Sequence, residues 1–380
     1  MKYFDYAATC PIDDTSLEVY SQAAKNYFGN SSSLHDQGTQ ANSLVEHCRK
    51  TLADQSGVQK KGIYFTSGGT ESNHIGLSVL AKAGEGKHII TSQAEHSSVH
   101  NALEKLEKEG YEITRIPFTE EGTIDLGALE AAIRKDTVLV SIQTMNGEIG
   151  TLQPVEAIYS ICQKWGALFH SDCVQAFGKV DFRAYTKYMD SFSISSHKIY
   201  GPKGVGALYL SPSISISPDL YNGSHEKGVR AGTVNVPGIA AFTTAAQENI
   251  SQMKDHQKHM VALKSTFEQA MLPVQHKLHF IGRTADDAPI IGLTLAGTEG
   301  QWAMLEANRK GYAISTGSAC TIHDHAPAKT LLAMGYPEET ARTFIRISFG
   351  KHTTAADVQG LADCLIAMMT VSNPTVRAEV

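Results

Sequence analysis

The sequence predicts an α/β fold, with a large domain organised around a mostly parallel sheet and a smaller α+β domain beside it. Over the first two-thirds of the chain, short runs rich in Ile and Val alternate with helical patterns, which is how successive βαβ units read in sequence. Beyond about residue 249 the texture changes: a long polar helical stretch leaves the alternation, and a few separated apolar runs follow. The 380 residues supply enough chain for both units, and 42% hydrophobic against 19% charged residues excludes a disordered or solvating acidic protein. The expected division places residues 13–250 in the large domain, and 1–12 with 251–380 in the small one.

Ile63–Thr66, His88–Thr91, Glu112–Ile116, Val138–Ile142, Ala167–His170 and Ser191–Ser195 are the predicted strands of the main sheet. Between them, Ala41–Ala53 reads as a helix because Ala41, Leu44, Val45, Cys48 and Leu52 recur at helical spacing, and Val155–Trp165 reads as another. A long polar helix is expected from about Asn249 through Gln275. The small domain should hold a strand at Ile290–Leu295, a helix near Gln301–Asn308, a strand at Phe344–Ser348 and a closing helix from Ala355 to Met369. No repeat, low-complexity tract or Pro/Ser-rich linker separates the two parts, so they should be tightly joined.

Lys and Arg number 33 against 39 Asp and Glu, a net charge of −6, so no basic field exists to hold a nucleic-acid backbone and no direct nucleic-acid binding is expected. Asp5 interrupts the place of a secretory apolar region and no run of about 18 apolar residues occurs, which predicts a cytoplasmic protein without membrane association. The six cysteines, Cys10, Cys48, Cys162, Cys173, Cys320 and Cys364, form no CxxC, so zinc-ribbon, iron–sulfur and dithiol motifs lack support and reduced thiols are expected.

The residues that carry chemistry follow the ends of the predicted strands. Ser191–Ser195 runs into Ser196-His197-Lys198 and then a glycine-rich turn, so Lys198 can point into a cleft. Only about one ordinary lysine in several thousand is neutral at pH 7. A working amine therefore needs a perturbed site or a standing imine, which pyridoxal 5'-phosphate supplies. In Thr66-Ser67-Gly68-Gly69-Thr70-Glu71-Ser72 the glycines admit an anion to backbone N–H groups, making Gly69 and Thr70 candidate phosphate ligands. Asp172 offers a carboxylate for a pyridinium nitrogen at the sheet's carboxyl edge, and His96 offers a flat ring. Each segment alone also fits an ordinary loop, a helix cap or a structural histidine.

Together, Asp5-Tyr6-Ala7-Ala8-Thr9, Phe28-Gly29-Asn30, Ser67-Gly68-Gly69-Thr70-Glu71-Ser72, Glu95-His96, Asp172-Cys173-Val174-Gln175, Ser195-Ser196-His197-Lys198-Ile199-Tyr200-Gly201-Pro202, Arg230-Ala231-Gly232-Thr233 and Gly317-Ser318-Ala319-Cys320 carry a resemblance that runs nearly end to end. The chain resembles the cysteine desulfurases, the NifS/IscS-like branch of the class V aminotransferases. The resemblance implies fold type I of the PLP-dependent transferases, L-cysteine as substrate, alanine as product and a homodimer. It implies that Lys198 carries the cofactor as an imine and shuttles the α-proton, that Asp172 pairs the pyridinium, and that Gln175 reaches the phenolic oxygen. His96 would stack on the ring and assist proton transfer. Thr70, Ser195 and His197 would hold the phosphate, and Thr233 would reach the phosphate of the neighbouring subunit. Arg346 matches the arginine that clamps the substrate carboxylate, a task suited to a bidentate fork.

Cys320 is also the cysteine that physical reasoning selects for sulfur transfer, because it lies among small residues able to swing, whereas Cys48, Cys162 and Cys364 fall in helical patterns. Roughly 3% of an ordinary thiol is thiolate at pH 7, and a modest depression suffices for attack on the substrate sulfur, leaving a persulfide. Cys320, His323 and His325 can be drawn as a metal cluster, but no fourth ligand of suitable spacing follows, and no metal is expected. Gly147 stands where relatives carry an asparagine that contacts cofactor and substrate, which makes Asn146 the candidate substrate-binding residue there. Ser31 stands in place of a proline and Cys10 in place of a threonine.

The chain ends soon after the closing helix, without the extension by which iron–sulfur-type relatives dock their scaffold. The expected acceptor is therefore a tRNA sulfurtransferase, ahead of an iron–sulfur scaffold. The competing readings are a PLP-dependent aminotransferase, a selenocysteine lyase, or a non-catalytic sulfur-carrier binding module.

Overall fold

The computed structural model describes residues 1–216, 225–282, 288–317 and 326–370. Its strands in chain order are β1 Lys2–Tyr3, β2 Ile63–Thr66, β3 His88–Ser92, β4 Glu112–Ile116, β5 Thr137–Ser141, β6 Leu168–Asp172, β7 Ser191–Ser195, β8 Gly206–Leu210, β9 Leu278–Phe280, β10 Ile290–Leu295, β11 Tyr312–Ala313 and β12 Phe344–Ser348. The first four helices are α1 Asp14–Asn26, α2 Asp36–Ser56, α3 Gly69–Ala83 and α4 Ser97–Lys108.

Seven strands form the main sheet in the order β2-β8-β7-β6-β5-β3-β4. From β7 to β4 all pairs are parallel, because each strand returns through a helical crossover. All six predicted strands of this sheet form, within one or two residues of the expected limits. β8 was not predicted. It runs antiparallel to both β7 and β2, since the short turn after Lys198 sends the chain back beside the strand it has just left.

Both faces of the sheet are covered, as a parallel sheet requires. One core holds Phe65, Phe169, Phe177, Phe192 and Phe242, and the core on the other face holds Ile75, Leu80, Leu103, Leu139 and Leu208. A separate core of Phe267, Leu293, Ile345, Leu361 and Leu365 packs on the antiparallel sheet β12-β10-β9 and takes in Phe4 from the start of the chain.

Val236–Ser251, a helix that was not predicted, is followed across Gln252 by Met253–Met271, the long polar helix expected from about Asn249 through Gln275. Most of the first is buried Ala, Ile, Phe and Gly, so it shows no polar face and gave no amphipathic signal. Among the described residues no helix is long and apolar enough to cross a membrane.

Candidate active site

The carboxyl ends of β6 and β7 carry Asp172 and Lys198 to one edge of the main sheet, where open α/β sheets place their ligands. A strap formed by residues 5–10 crosses that edge. Lys198 Nζ donates to Ala7 O at 2.6 Å and Ala8 O at 2.8 Å, Gln175 Nε2 donates to Ala7 O at 2.9 Å, and Cys10 N donates to His197 O at 2.8 Å. The lysine is thus held by neutral carbonyls. Burial, reinforced by Lys179 and Arg346, brings its amine down to about 7, so a large fraction is a nucleophile at neutral pH. His197 Nδ1 lies 3.1 Å from Thr9 Oγ1, and burial with the nearby lysines lowers its pKa to about 4, leaving a neutral ring that ties the strap down.

Asp172 accepts from Asn73 Nδ2 at 2.7 Å and from Val174 N at 3.0 Å. His96 caps α4, and its exposed ring stands in the electrostatic reach of both Asp172 and Lys198. Desolvation where the ring meets the protein, with Lys198 and Lys329, lowers its pKa against the opposing pull of Asp172 and Glu148. Just before it, Glu95 accepts from Ser92 Oγ at 2.6 Å and Gln143 N at 3.0 Å, and burial raises its carboxyl to about 8.

Arg346 enters from β12. Its Nη1 donates to Gly147 O at 2.9 Å and its Nη2 to Asp5 Oδ1 at 2.8 Å, while Nε is buried with no partner among the described residues. Gly147 and Gln175 are close neighbours, since a Cβ on Gly147 would lie 3.3 Å from Gln175 Nε2. Asn146 has a structural part in the turn. Its Oδ1 accepts from Glu148 N at 2.8 Å and Ile149 N at 3.0 Å, and its Nδ2 donates to Thr330 Oγ1 at 3.1 Å. With 1% of its surface exposed, Asn146 uses its amide oxygen and one amide N–H to build the turn.

The phosphate turn can be tested against the pyridoxal 5'-phosphate that the sequence predicts. Gly68 precedes α3 with φ +148°, and a Cβ on Gly69 would lie 2.6 Å from Val174 Cγ2, so both positions favour glycine. No side chain caps this helix end among the described residues. Beside it, Ser195 Oγ is buried with no hydrogen-bond partner among the described residues, 3.7 Å from where a Gly68 Cβ would stand. An uncapped helix N-terminus beside an orphaned buried hydroxyl fits a phosphate. Thr70 is exposed in the first turn of α3.

Thr233 is exposed and joins no site of its own chain through a hydrogen bond described here. The segment leading to it is anchored twice. Arg230 Nε donates to Glu71 Oε2 at 2.9 Å, and Arg49 Nη1 and Nη2 grip the two oxygens of Glu226 at 2.7 and 2.8 Å. The Arg49–Glu226 pair also takes Ile63 O and Phe65 N, the outward backbone groups of edge strand β2, as a neighbouring strand would. Glu226 and Lys227 adopt φ of +46° and +56° to make the grip. Sequence reasoning did not find this pair, nor Asn73, Asp5 or Lys179, whose amine donates to Gln175 Oε1 at 2.7 Å. Cys320, with His323 and His325, lies outside the described residues.

Residues 2–361 match the family model described as aminotransferase class-V. The chain is 44% identical over 368 residues to a protein of Bacillus subtilis (strain 168) named putative cysteine desulfurase NifS, covering 95% of this chain and 93% of the relative. A solved structure named NIFS-like protein superposes with a TM-score of 0.88 at 31% identity, over 97% of this chain and 99% of that one. Another, named SspA in complex with cysteine, gives 0.79 at 31% identity over 93% and 100%. A mostly parallel sheet that brings a lysine, an aspartate and a glycine turn to one edge agrees with these matches: the chain belongs to the class V aminotransferases, among the NifS/IscS-like cysteine desulfurases, enzymes of fold type I that use pyridoxal 5'-phosphate.

Proposed function

We propose that this chain takes sulfur from L-cysteine onto Cys320, releases L-alanine, and passes the persulfide sulfur to an acceptor protein. The observation that carries the reading is Lys198, a buried amine brought down to about 7 at a sheet edge that also presents Asp172 and, from β12, the fork of Arg346. Asp172 would hold the cofactor's pyridinium nitrogen, Gln175 its phenolic oxygen, and Gly69, Thr70, Ser195 and His197 its phosphate, with His96 against the ring. When bound, the cofactor is an electron sink that labilises the substrate's α-hydrogen.

Arg346 orients the substrate through its carboxylate, and Lys198 moves the α-proton. The Cys320 thiolate attacks the substrate sulfur, an S–S bond forms as the Cβ–S bond breaks, and alanine is completed by a proton delivered to Cβ and by the return of the α-proton to Cα, while the sulfur stays on Cys320 as a persulfide. Thr233 reaches the phosphate held by a second copy of the chain in a homodimer, consistent with its exposure and with the two ion pairs that fix its segment. The large domain spans 13–250, and 1–12 with 251–380 form the small domain that carries the Cys320 loop.

Incubation with L-cysteine should yield alanine and, with a thiol present, sulfide. Cys320→Ser should abolish both with cofactor content unchanged. Keto-acid exchange without alanine would replace the reading by an aminotransferase, and intact cofactor with no turnover would replace it by a binding module. A net charge of −6 suits transfer to a protein thiol better than to RNA, and the protein acceptor we favour is a tRNA sulfurtransferase in the cytoplasm. Deleting the gene should deplete thiolated tRNA. Loss of iron–sulfur enzymes with tRNA thiolation intact would overturn the acceptor and leave the desulfurase.

A further inference from the structure

His96 both faces the cleft and begins a helix. It is the N-cap of α4, and its Nδ1 accepts the backbone N–H of Ser98 at 3.1 Å. A backbone N–H can only donate, so Nδ1 must offer its lone pair and the neutral ring carries its proton on Nε2.

A second chain of contacts, from Asp172 through Asn73 to Ser98, agrees with this tautomer. Asp172 Oδ2 can only accept, so the atom of Asn73 that faces it at 2.7 Å is Nδ2, which also donates to Ser98 Oγ at 2.9 Å. Asn73 Oδ1 then accepts from His170 Nε2 at 3.2 Å, and His170 Nδ1 accepts from Ser191 Oγ at 3.0 Å. Burial lowers the pKa of His170 to about 3, so it has one ring proton, as that pattern requires. Ser98 Oγ accepts from Asn73 on one lone pair and keeps its proton free, and because Nδ1 already accepts from Ser98 N, the hydroxyl 2.8 Å away donates to it as well. Asn73 and His170 are almost wholly buried, which leaves no bulk water to exchange with these bonds.

We propose that His96 acts in the cleft as a hydrogen-bond donor through Nε2–H and not as a base, and that Asn73 and Ser98 are the positioning residues that hold it in that tautomer. This rests on the reading of His96 as a residue that faces cofactor and substrate, and it narrows the proton-transfer part expected of it from the resemblance. To serve as a base at Nε2 the ring would first have to move its proton to Nδ1. That would set an N–H against two donors at the positive end of α4. Asp172 and Glu148 favour a charged ring, while desolvation, Lys198 and Lys329 oppose it. Proton movement is left to Lys198. The carboxylate proposed to hold the cofactor nitrogen also sets, through Asn73 and Ser98, which group His96 presents.

The test is histidine-ring nitrogen NMR on the 15N-histidine-labelled holoenzyme, with His96 assigned by its loss in His96→Gln. The expected pattern at neutral pH is a pyridine-type Nδ1 and a pyrrole-type Nε2. The reverse pattern, or an imidazolium, overturns the proposal. In Ser98→Ala one donor to Nδ1 is gone, and the ring should protonate about one pH unit higher than in the wild type. Asn73→Asp should do the same by turning the Ser98 proton away. An unchanged midpoint in both variants removes the two positioning residues from the account.

His96→Gln retains an N–H₂ donor but cannot act as a base. It should keep turnover within about tenfold, whereas His96→Ala should lose about a hundredfold or more. Equal losses in the two would assign His96 to proton transfer. If the wild-type protein released no alanine from cysteine, the functional reading would fail, while the ring pattern measured on the same sample would still decide the tautomer.

Discussion

The two charged side chains that frame the cleft from opposite sheets are held in opposite ways. Asp172, on the main sheet, is held by neutral donors, the Asn73 amide and the Val174 N–H. Arg346, on β12, is held by a neutral carbonyl and by a carboxylate, Asp5. Neutral donors keep a charge in place without cancelling it, so Asp172 stays available to a cation that remains bound. Asp5 occupies one of the guanidinium's donors with the same chemical group that an amino-acid substrate would bring. The first arrangement suits a resident cofactor, and the second suits a ligand that arrives and leaves with every turnover.

The comparison breaks most visibly at Arg346. Lysine keeps the charge but loses the planar fork and one of the two positioned donors. Arg346→Lys should lower kcat/KM for cysteine by about a hundredfold or more, chiefly through KM, with cofactor absorbance unchanged. An equal fall in cofactor content would mean that the arginine supports the resident group instead.

Asp5→Asn sharpens the contrast in the other direction. Removing the waiting carboxylate should lower KM for cysteine by a few-fold, because the substrate no longer displaces an ion pair. The apo protein should lose about 1–3 kcal/mol, since Arg346 is then a largely buried cation with only carbonyl partners. A raised KM in this variant would show that Asp5 orients the guanidinium more than it competes for it.

What could be read from the sequence followed locality. The strands from Ile63 to Ser195 were visible because short segments rich in Ile, Val, Phe and Thr, continuous or alternating, leave a local signature, and Lys198, Asp172 and His96 were visible because they stand at or just beyond strand ends. β8 was hidden behind the glycine-rich turn that precedes it. The pairs that hold the site together left no period to read: Asn73 and Asp172 are 99 residues apart, Arg49 and Glu226 are 177 apart, and Asp5 and Arg346 are 341 apart. The turn-building part of Asn146 was hidden for a related reason, since a buried turn-forming amide and a ligand-binding amide are the same residue in sequence.

The smallest effect concerns how Lys198 is kept reactive. Burial is the main cause of its lowered pKa and Lys179 the next, so the neighbouring cation should be separable from the burial. Capture of free pyridoxal 5'-phosphate by the apoenzyme needs the unprotonated amine, so its rate should rise with pH through about 7 and level off above, where an ordinary lysine would keep rising to about 10.4. The same shift sets a sign for stability. Between about 7 and the ordinary lysine value the unfolded chain holds a proton that the folded chain has released, so apoenzyme stability from this group increases with pH across that window and is least below it. Lys179→Met removes the second cation, should move the capture midpoint upward, and should slow capture at pH 7 by a few-fold. Lys179→Arg keeps the charge and should leave the midpoint where it was. If the methionine variant also titrated near 7, burial alone would account for the reactive amine, and Lys179 would be left with its bond to Gln175 Oε1 at 2.7 Å as its contribution to the site.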